Sequence, residues 1–262
     1  MLKYNVLNDD QLSKIRDLKA NGYSLNKLSC LLGIKKTTLY YHVRKDFGRF
    51  YKKAIFNSDY NRELGEFLGA FAGDGSLVYS KDRGYRIIFY LGGAEFKYAE
   101  HLKSVISKVF SKDSRIRFEK NKYEILVDFF SKEISNIIKE FLFWEKKKSN
   151  SVKLIKMPQS DDFVRGIIDG LTCTDGYVGD KNITFTSTSP FLSQQYAAML
   201  NKFDIKSKFY SYNRLNKSST EYYVKIYGRE NLEKFEREIK LSEPIKNIKL
   251  ENLLNSYRIK SG

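Results

Sequence analysis

The 262-residue chain carries 47 Lys and Arg against 31 Asp and Glu, a net charge of +16, and is 42% hydrophobic and 15% aromatic. That composition supplies a substantial core and excludes wholesale disorder, while the charge points to a polyanionic partner, most commonly nucleic acid. Cys30 and Cys173 lie far apart inside apolar patterns, His42 and His101 are the only histidines, and no apolar run approaches ~20 residues. A disulfide framework, a zinc cluster and a membrane span are therefore excluded, and a soluble cytoplasmic monomer is expected.

Residues 1–58 read as a separate small all-α unit with a connector. Asn8 and Gln11 form a capping-box pattern, with Ile15 and Leu18 on one face of the helix that follows. After a break at Asn21-Gly22, Ser24 caps a second helix bearing Leu25, Leu28, Leu31 and Leu32; Gly33 makes a turn, and Leu39 and Val43 anchor a third. Helix, short glycine turn, helix is the helix-turn-helix pattern. Its third segment presents Lys35, Lys36, Thr37, Thr38, Tyr41, Arg44 and Lys45, a basic and polar face suited to a DNA major groove. The bland reading is a three-helix packing or dimerisation module. Residues 46–61 form a basic, aromatic connector.

Residues 63–75 (ELGEFLGAFAGDG) form an apolar helix with Gly65, Gly69 and Gly73 at every fourth position, ending in Asp74-Gly75. Positions i and i+4 share a helix face, so these residues make a bare stripe where another backbone can approach. Glycine inside a helix costs roughly 1 kcal/mol against alanine, and its recurrence along one face calls for a packing reason. Two strands follow around a turn at residues 81–84, then a helix over 94–110, strands over 115–120 and 123–130, and a helix over 131–143. Residues 59–143 make one half. A basic linker over 144–158 leads to a second half over 159–241, and residues 242–262 form a tail with a short helix.

The second half repeats the order. Residues 162–176 (DFVRGIIDGLTCTDG) carry Gly166, Gly170 and Thr174 on one stripe and end in Asp175-Gly176; the two acids are 101 residues apart. Strands at 177–178 and 182–188, a helix from Ser189-Pro190, strands at 206–212 and 222–227 and a helix from Arg229 complete it. Residues 115–118 (RIRF) align with 206–209 (KSKF), and 127–130 (VDFF) with 224–227 (VKIY). The fold class is therefore α+β, a pseudo-twofold tandem repeat of α-β-β-α-β-β-α halves. Each antiparallel sheet buries one face under helices and turns out the other, with Arg86, Arg115, Arg117, Thr184, Thr186, Lys206, Lys208, Tyr210, Tyr212 and Tyr223. Side by side they make a basic saddle the width of a duplex. A solvated face is the bland alternative.

Residues 67–75 (FLGAFAGDG) and 168–176 (IDGLTCTDG) resemble the two motifs of monomeric LAGLIDADG homing endonucleases, with the resemblance running over about residues 62–240. It implies that the motif helices pair at the pseudo-twofold axis and that Asp74 and Asp175 hold divalent metal beneath the DNA minor groove. Both strands of a long recognition site are then cut, leaving short 3′ overhangs. Elementary chemistry agrees: carboxylates beside an anionic phosphodiester make sense as Mg²⁺ ligands. The family adds a basic residue near the metal, for which Lys225 is the candidate; its first-half counterpart is Asp128. Ala72 and Cys173 stand where the motif frequently has an acid.

Two alternatives use the same scaffold, a non-catalytic DNA-binding regulator and a maturase that binds structured intron RNA. A restriction-type Asp with Glu-x-Lys is matched by Asp74 with Glu95 and Lys97, but residues 94–110 have helical rather than strand spacing. An intein is disfavoured by Met1 and by the closing Lys260-Ser261-Gly262.

Overall fold

A computed structural model describes residues 7–21, 23–47, 60–81, 84–213 and 219–259; the chain divides into two compact units, residues 1–53 and 54–262. Gly22, Asp82, Arg83, the connector over 48–59 and the side chain of Lys45 lie outside the described residues.

In the first unit, α1 (Asp9–Ala20) opens on the expected capping box: Gln11 N donates to Asn8 Oδ1 at 2.8 Å and Asn8 N to Gln11 Oε1 at 3.1 Å. Two orphan donors of the helix start are thereby satisfied. Ser24 caps α2 (Leu25–Leu32), and Gly33 ends it at a φ of 62°, a left-handed conformation that glycine adopts without strain. α3 (Lys36–Phe47) follows. Ile15, Leu28, Leu39 and Val43 are buried at the centre of the unit. Lys35, Lys36, Thr37, Tyr41 and Arg44 are exposed and Thr38 is half-buried.

The second unit contains the repeat. Its first half runs α4 (Arg62–Asp74), β1 (Gly75–Ser80), β2 (Gly84–Gly92), α5 (Phe96–Phe110), β3 (Arg115–Glu119), β4 (Glu124–Phe130) and α6 (Lys132–Phe141). Between the halves lie β5 (Leu142–Phe143), α7 (Lys148–Ser151) and β6 (Lys153–Leu154). The second half runs α8 (Asp161–Asp175), β7 (Gly176–Val178), β8 (Asn182–Ser187), α9 (Pro190–Lys202), β9 (Ser207–Asn213), β10 (Thr220–Tyr227) and α10 (Arg229–Ile239); α11 (Pro244–Ile259) closes the described chain. The sheets are antiparallel and share one topology, β1-β2-β4-β3 and β7-β8-β10-β9.

Register makes the halves comparable. Asp128 on β4 sits opposite Ile88 and Arg115, as Lys225 on β10 sits opposite Thr184 and Lys208. Because side chains alternate along a strand, Ile87, Phe89, Ile125, Val127 and Phe129 join the core under the helices while Arg86, Asp128, Arg115 and Arg117 share the other face. Phe67 on α4 meets Phe89 and Phe110 edge-on, with ring centroids 5.6 and 4.8 Å apart; such pairs add about 0.5–1.5 kcal/mol beyond burial.

Two segments differ from the sequence expectation. The helix expected over 131–143 stops at Phe141, where Leu142 and Phe143 turn extended and pair with Lys153 and Leu154. The stretch expected as a plain linker is thus strapped to the body. The tail carries a 16-residue helix whose Leu250, Leu253 and Leu254 are buried. No described helix is long and apolar enough to cross a membrane.

Candidate active site at the ends of two paired helices

The glycine stripes of α4 and α8 face each other at backbone distance. A Cβ built on Gly65 would lie 2.1 Å from Phe163 O, on Gly69 2.4 Å from Ile167 O, on Gly166 2.0 Å from Arg62 O and on Gly170 2.3 Å from Glu66 O. Those overlaps account for glycine in a helix interior despite its propensity cost. At the last position the stripe is asymmetric: Gly73 lies against Thr174, whose hydroxyl donates back to Gly170 O at 2.9 Å.

Asp74 and Asp175 are the last residues of α4 and α8, so this pairing sets them side by side. Among the described residues neither carboxylate has a hydrogen-bond or ion-pair partner. Burial, then the charges of Asp175 and Glu95, push Asp74 up to about 7, against the pull of Lys148 and Lys246. Burial pushes Asp175 up to about 6, opposed by the same lysines.

These two lysines are absent from the candidates that sequence pattern supplies. Lys148 Nζ donates to Phe71 O, Ala72 O and Gly73 O at 2.7, 2.8 and 2.7 Å, the final carbonyls of α4. Lys246 Nζ does the same for α8, reaching Thr172 O at 3.2 Å, Cys173 O, and Thr174 O at 3.3 Å. The last carbonyls of a helix lack intrahelical donors and carry its negative dipole end, so one ammonium satisfies each end and lowers the cost of a carboxylate there. Burial brings Lys148 down to about 8, with Asp175 and Asp74 holding it up. A signal does exist in the spacing: Lys148 follows its acid by 74 residues and Lys246 by 71.

Lys225 stands elsewhere, over the rings of Tyr210 and Tyr223 at 5.7 and 5.9 Å on the sheet face. It is not among the charges acting on either acid; Lys148 and Lys246 are. Strand parity places a side chain on the correct face without locating it along the strand, hence the difference. Glu95 lies at the start of α5, its Oε2 accepting from Gly92 N at 2.6 Å, and Lys97 is helical. The strand-borne Glu-x-Lys geometry is therefore not formed. Cys173 donates to Asp169 Oδ1 at 3.2 Å inside the helix pair, where Asp169 also accepts from Arg62 at 2.9 Å and from Ser242 Oγ at 2.7 Å.

The donor set suits a hard divalent cation. Two adjacent carboxylates without partners repel unless a cation joins them, and Mg²⁺ accepts one or two carboxylates with waters and phosphate oxygens completing its shell. Among the described residues no group of three His, Cys, Asp or Glu side chains converges, so water and substrate would supply the remaining ligands.

On the outward sheet faces, Arg115, Arg117, Lys208, Tyr210 and Tyr212 are exposed, Arg86, Thr186 and Tyr223 are half-buried and Thr184 is buried. Lys206, also exposed, precedes β9. The fully buried Asp128 draws the first half's arginines together, accepting from Arg86 Nε at 2.9 Å, Arg115 Nη2 at 2.9 Å and Arg117 Nε at 3.1 Å.

Comparison with known proteins agrees with this geometry. Residues 162–240 match the family described as LAGLIDADG-like domain. A curated relative, the replication factor C small subunit of Methanocaldococcus jannaschii, is 29% identical over 208 residues, 76% of this chain; the chain spans 11% of that protein's length. Among solved structures, I-DmoI in complex with DNA and Ca is similar at a TM-score of 0.55 and 15% identity, covering 74% of this chain and 100% of that one. Full-length DUF199/WhiA from Thermatoga maritima is similar at 0.52 and 16%, covering 78% and 63%. At these identities the structural likeness establishes the fold.

Proposed function

We propose that this chain, a LAGLIDADG protein by the match of its second half and the fold of both, is a divalent-metal-dependent endonuclease for duplex DNA. The observation that carries the reading is the pair of partnerless carboxylates, Asp74 and Asp175, at the ends of the paired helices. A helix pair serving only as scaffold gains nothing from two half-buried acids that raise each other's ionisation cost. I-DmoI, which shares the fold, has been solved with DNA and with Ca, Mn or Mg.

Asp74 and Asp175 would hold Mg²⁺, which supplies charge neutralisation at the scissile phosphate and a water of lowered pKa. The chain's own residues perform the rest. The glycine stripes fix the separation of the two acids. Lys148 and Lys246 hold the helix-end carbonyls and draw both acids toward the ionised, metal-binding form. The two basic sheets grip a long duplex and set its register over the acids. Two acids from two halves suit the cutting of two strands.

The second reading is a DNA-binding regulator that does not cut, favoured by the helix-turn-helix order of α2 and α3 with its exposed Lys36, Tyr41 and Arg44. Incubating the protein with a random duplex library and Mg²⁺, and sequencing both bound and newly broken molecules, separates the two. The endonuclease reading expects a cut sequence that disappears with EDTA; a bound sequence that is never cut establishes the regulator.

A further inference from the structure

The first sheet holds a polar arrangement that the cutting chemistry does not use. Asp128 is 0% exposed, and its two oxygens are taken by three guanidiniums: Arg86 and Arg115 on Oδ2, Arg117 on Oδ1. Ile88 and Leu126, on the same face, are buried without joining the main core and form an apolar floor there. At the matching register of the second sheet stands Lys225, between tyrosine rings and opposite Thr184 and Lys208.

We propose that Asp128, also paired with Arg115 Nη2, is a positioning residue that fixes Arg86 and Arg117 as a guanine reader for the half-site under the first sheet, a reader that the second sheet lacks. The proposal rests on the duplex-DNA reading above. Arg86 and Arg117 give their Nε to Asp128, which leaves the two terminal nitrogens of each without another partner among the described residues. A guanidinium held by its Nε edge presents that terminal pair as parallel donors. Guanine offers two acceptors, O6 and N7, in the major groove; adenine places a donor beside its acceptor, and cytosine offers a donor. Such a fork therefore selects guanine.

Phosphate contact is the competing use of three arginines, and Asp128 argues against it. A carboxylate amid the array subtracts one charge from the attraction for a phosphate, which flexible lysines and arginines serve without any buttress. What the carboxylate contributes is order, since three long side chains held before binding lose less freedom on binding. If packing were its role, an apolar residue like the adjacent Ile88 and Leu126 would fit position 128 without a buried charge. With one half built this way and the other on Lys, Thr and Tyr, the two half-sites of the target differ.

Site selection from a random duplex library tests this with the native chain, Arg117→Lys and Asp128→Asn. The native chain selects guanines at neighbouring positions in one half, each preferred roughly five- to hundredfold over other bases. Arg117→Lys keeps the charge at an exposed site and loses one of those guanines, which also assigns the half. Asp128→Asn has opposite effects on two readouts. Guanine preference falls across the half, while affinity for random duplex rises and its logarithmic salt slope steepens by about one unit, because a negative charge has gone. A role in folding alone would lower both together. Should Asp128→Asn fail to fold, Arg86→Lys, paired with Arg117→Lys, reads the same claim by losing a different guanine. A selected site with no guanine in the half altered by these variants, or a preference indifferent to all of them, overturns the inference and leaves the duplex-DNA reading standing. Selection of no duplex by the native chain overturns both.

Discussion

Replacing Gly69 with alanine tests how packing sets the active site. The new Cβ would lie 2.4 Å from Ile167 O and 3.1 Å from Ile167 C and Cα, whereas ordinary contact begins at 3.4 Å, so α4 and α8 must part by about 1 Å. On an isolated helix the change would stabilise by about 1 kcal/mol. Overpacking typically costs about 1–3 kcal/mol, and here the obstacle is backbone, which has no rotamer to yield. Overpacking therefore offsets or outweighs the gain in helix propensity, giving a net loss of up to about 2 kcal/mol and a fall of up to roughly 8 °C in the melting of the second unit. Because Asp74 lies little more than one turn further along α4, the parting also moves the acids, and a misplacement of about 1 Å can cost on the order of 100-fold in rate. Thermal unfolding and Mg²⁺-dependent cleavage of the selected duplex measure the two effects. A variant that melts higher than the native chain and cuts at the native rate would refute the claim that the glycines exist for close approach.

Asp74→Asn has a pH-dependent signature in stability. With Asp74 at about 7 in the folded chain against an ordinary 3.8, the folded state binds the proton more tightly, so the stability linked to that proton is complete below about pH 4 and lost as pH rises through 7. The asparagine variant should match the native chain near pH 4 and exceed it at pH 8, by at most about 4 kcal/mol; equal differences in urea midpoint at both pH values would contradict the burial of this acid. Lys148→Met strands the carbonyls of Ala72 and Gly73, while Phe71 O keeps its bond from Gly75 N, and should cost about 2–4 kcal/mol. It also removes a charge that keeps both acids ionised, so Mg²⁺ affinity on the bound duplex should fall at pH 7 and recover toward pH 8.5. An affinity unchanged at pH 7 would reduce Lys148 to a helix cap.

Much of the architecture is legible in the sequence because its causes are local. The glycine stripes show at i and i+4, the caps at Asn8, Ser24 and Gly33 announce their helices, and the 101-residue spacing of the acids reveals the repeat. Position along a strand is set by distant partners, which is why pattern alone suggests Lys225 near the acids when it stands among tyrosines. Lys148 looks like any lysine of a basic linker until α7 folds it onto the end of α4, and Lys246 sits in what reads as a tail. Asp128 stands out in the sequence only as the residue unlike Lys225. Its burial depends on arginines from β2 and β3, contacts that alternation along β4 cannot announce. The two-residue β5 is too short to carry a period, so the end of α6 is expected two residues late.

Whether Asp74 and Asp175 do metal chemistry on DNA is answered by following one selected duplex with Mg²⁺ through the native chain, Asp74→Asn and Asp175→Asn, scoring binding and strand breaks separately. Binding should persist in all three, with double-strand breaks in the native chain alone, and none in the native chain once EDTA is added. Undiminished double-strand breaks in both variants would contradict metal binding by these acids as the basis of the activity.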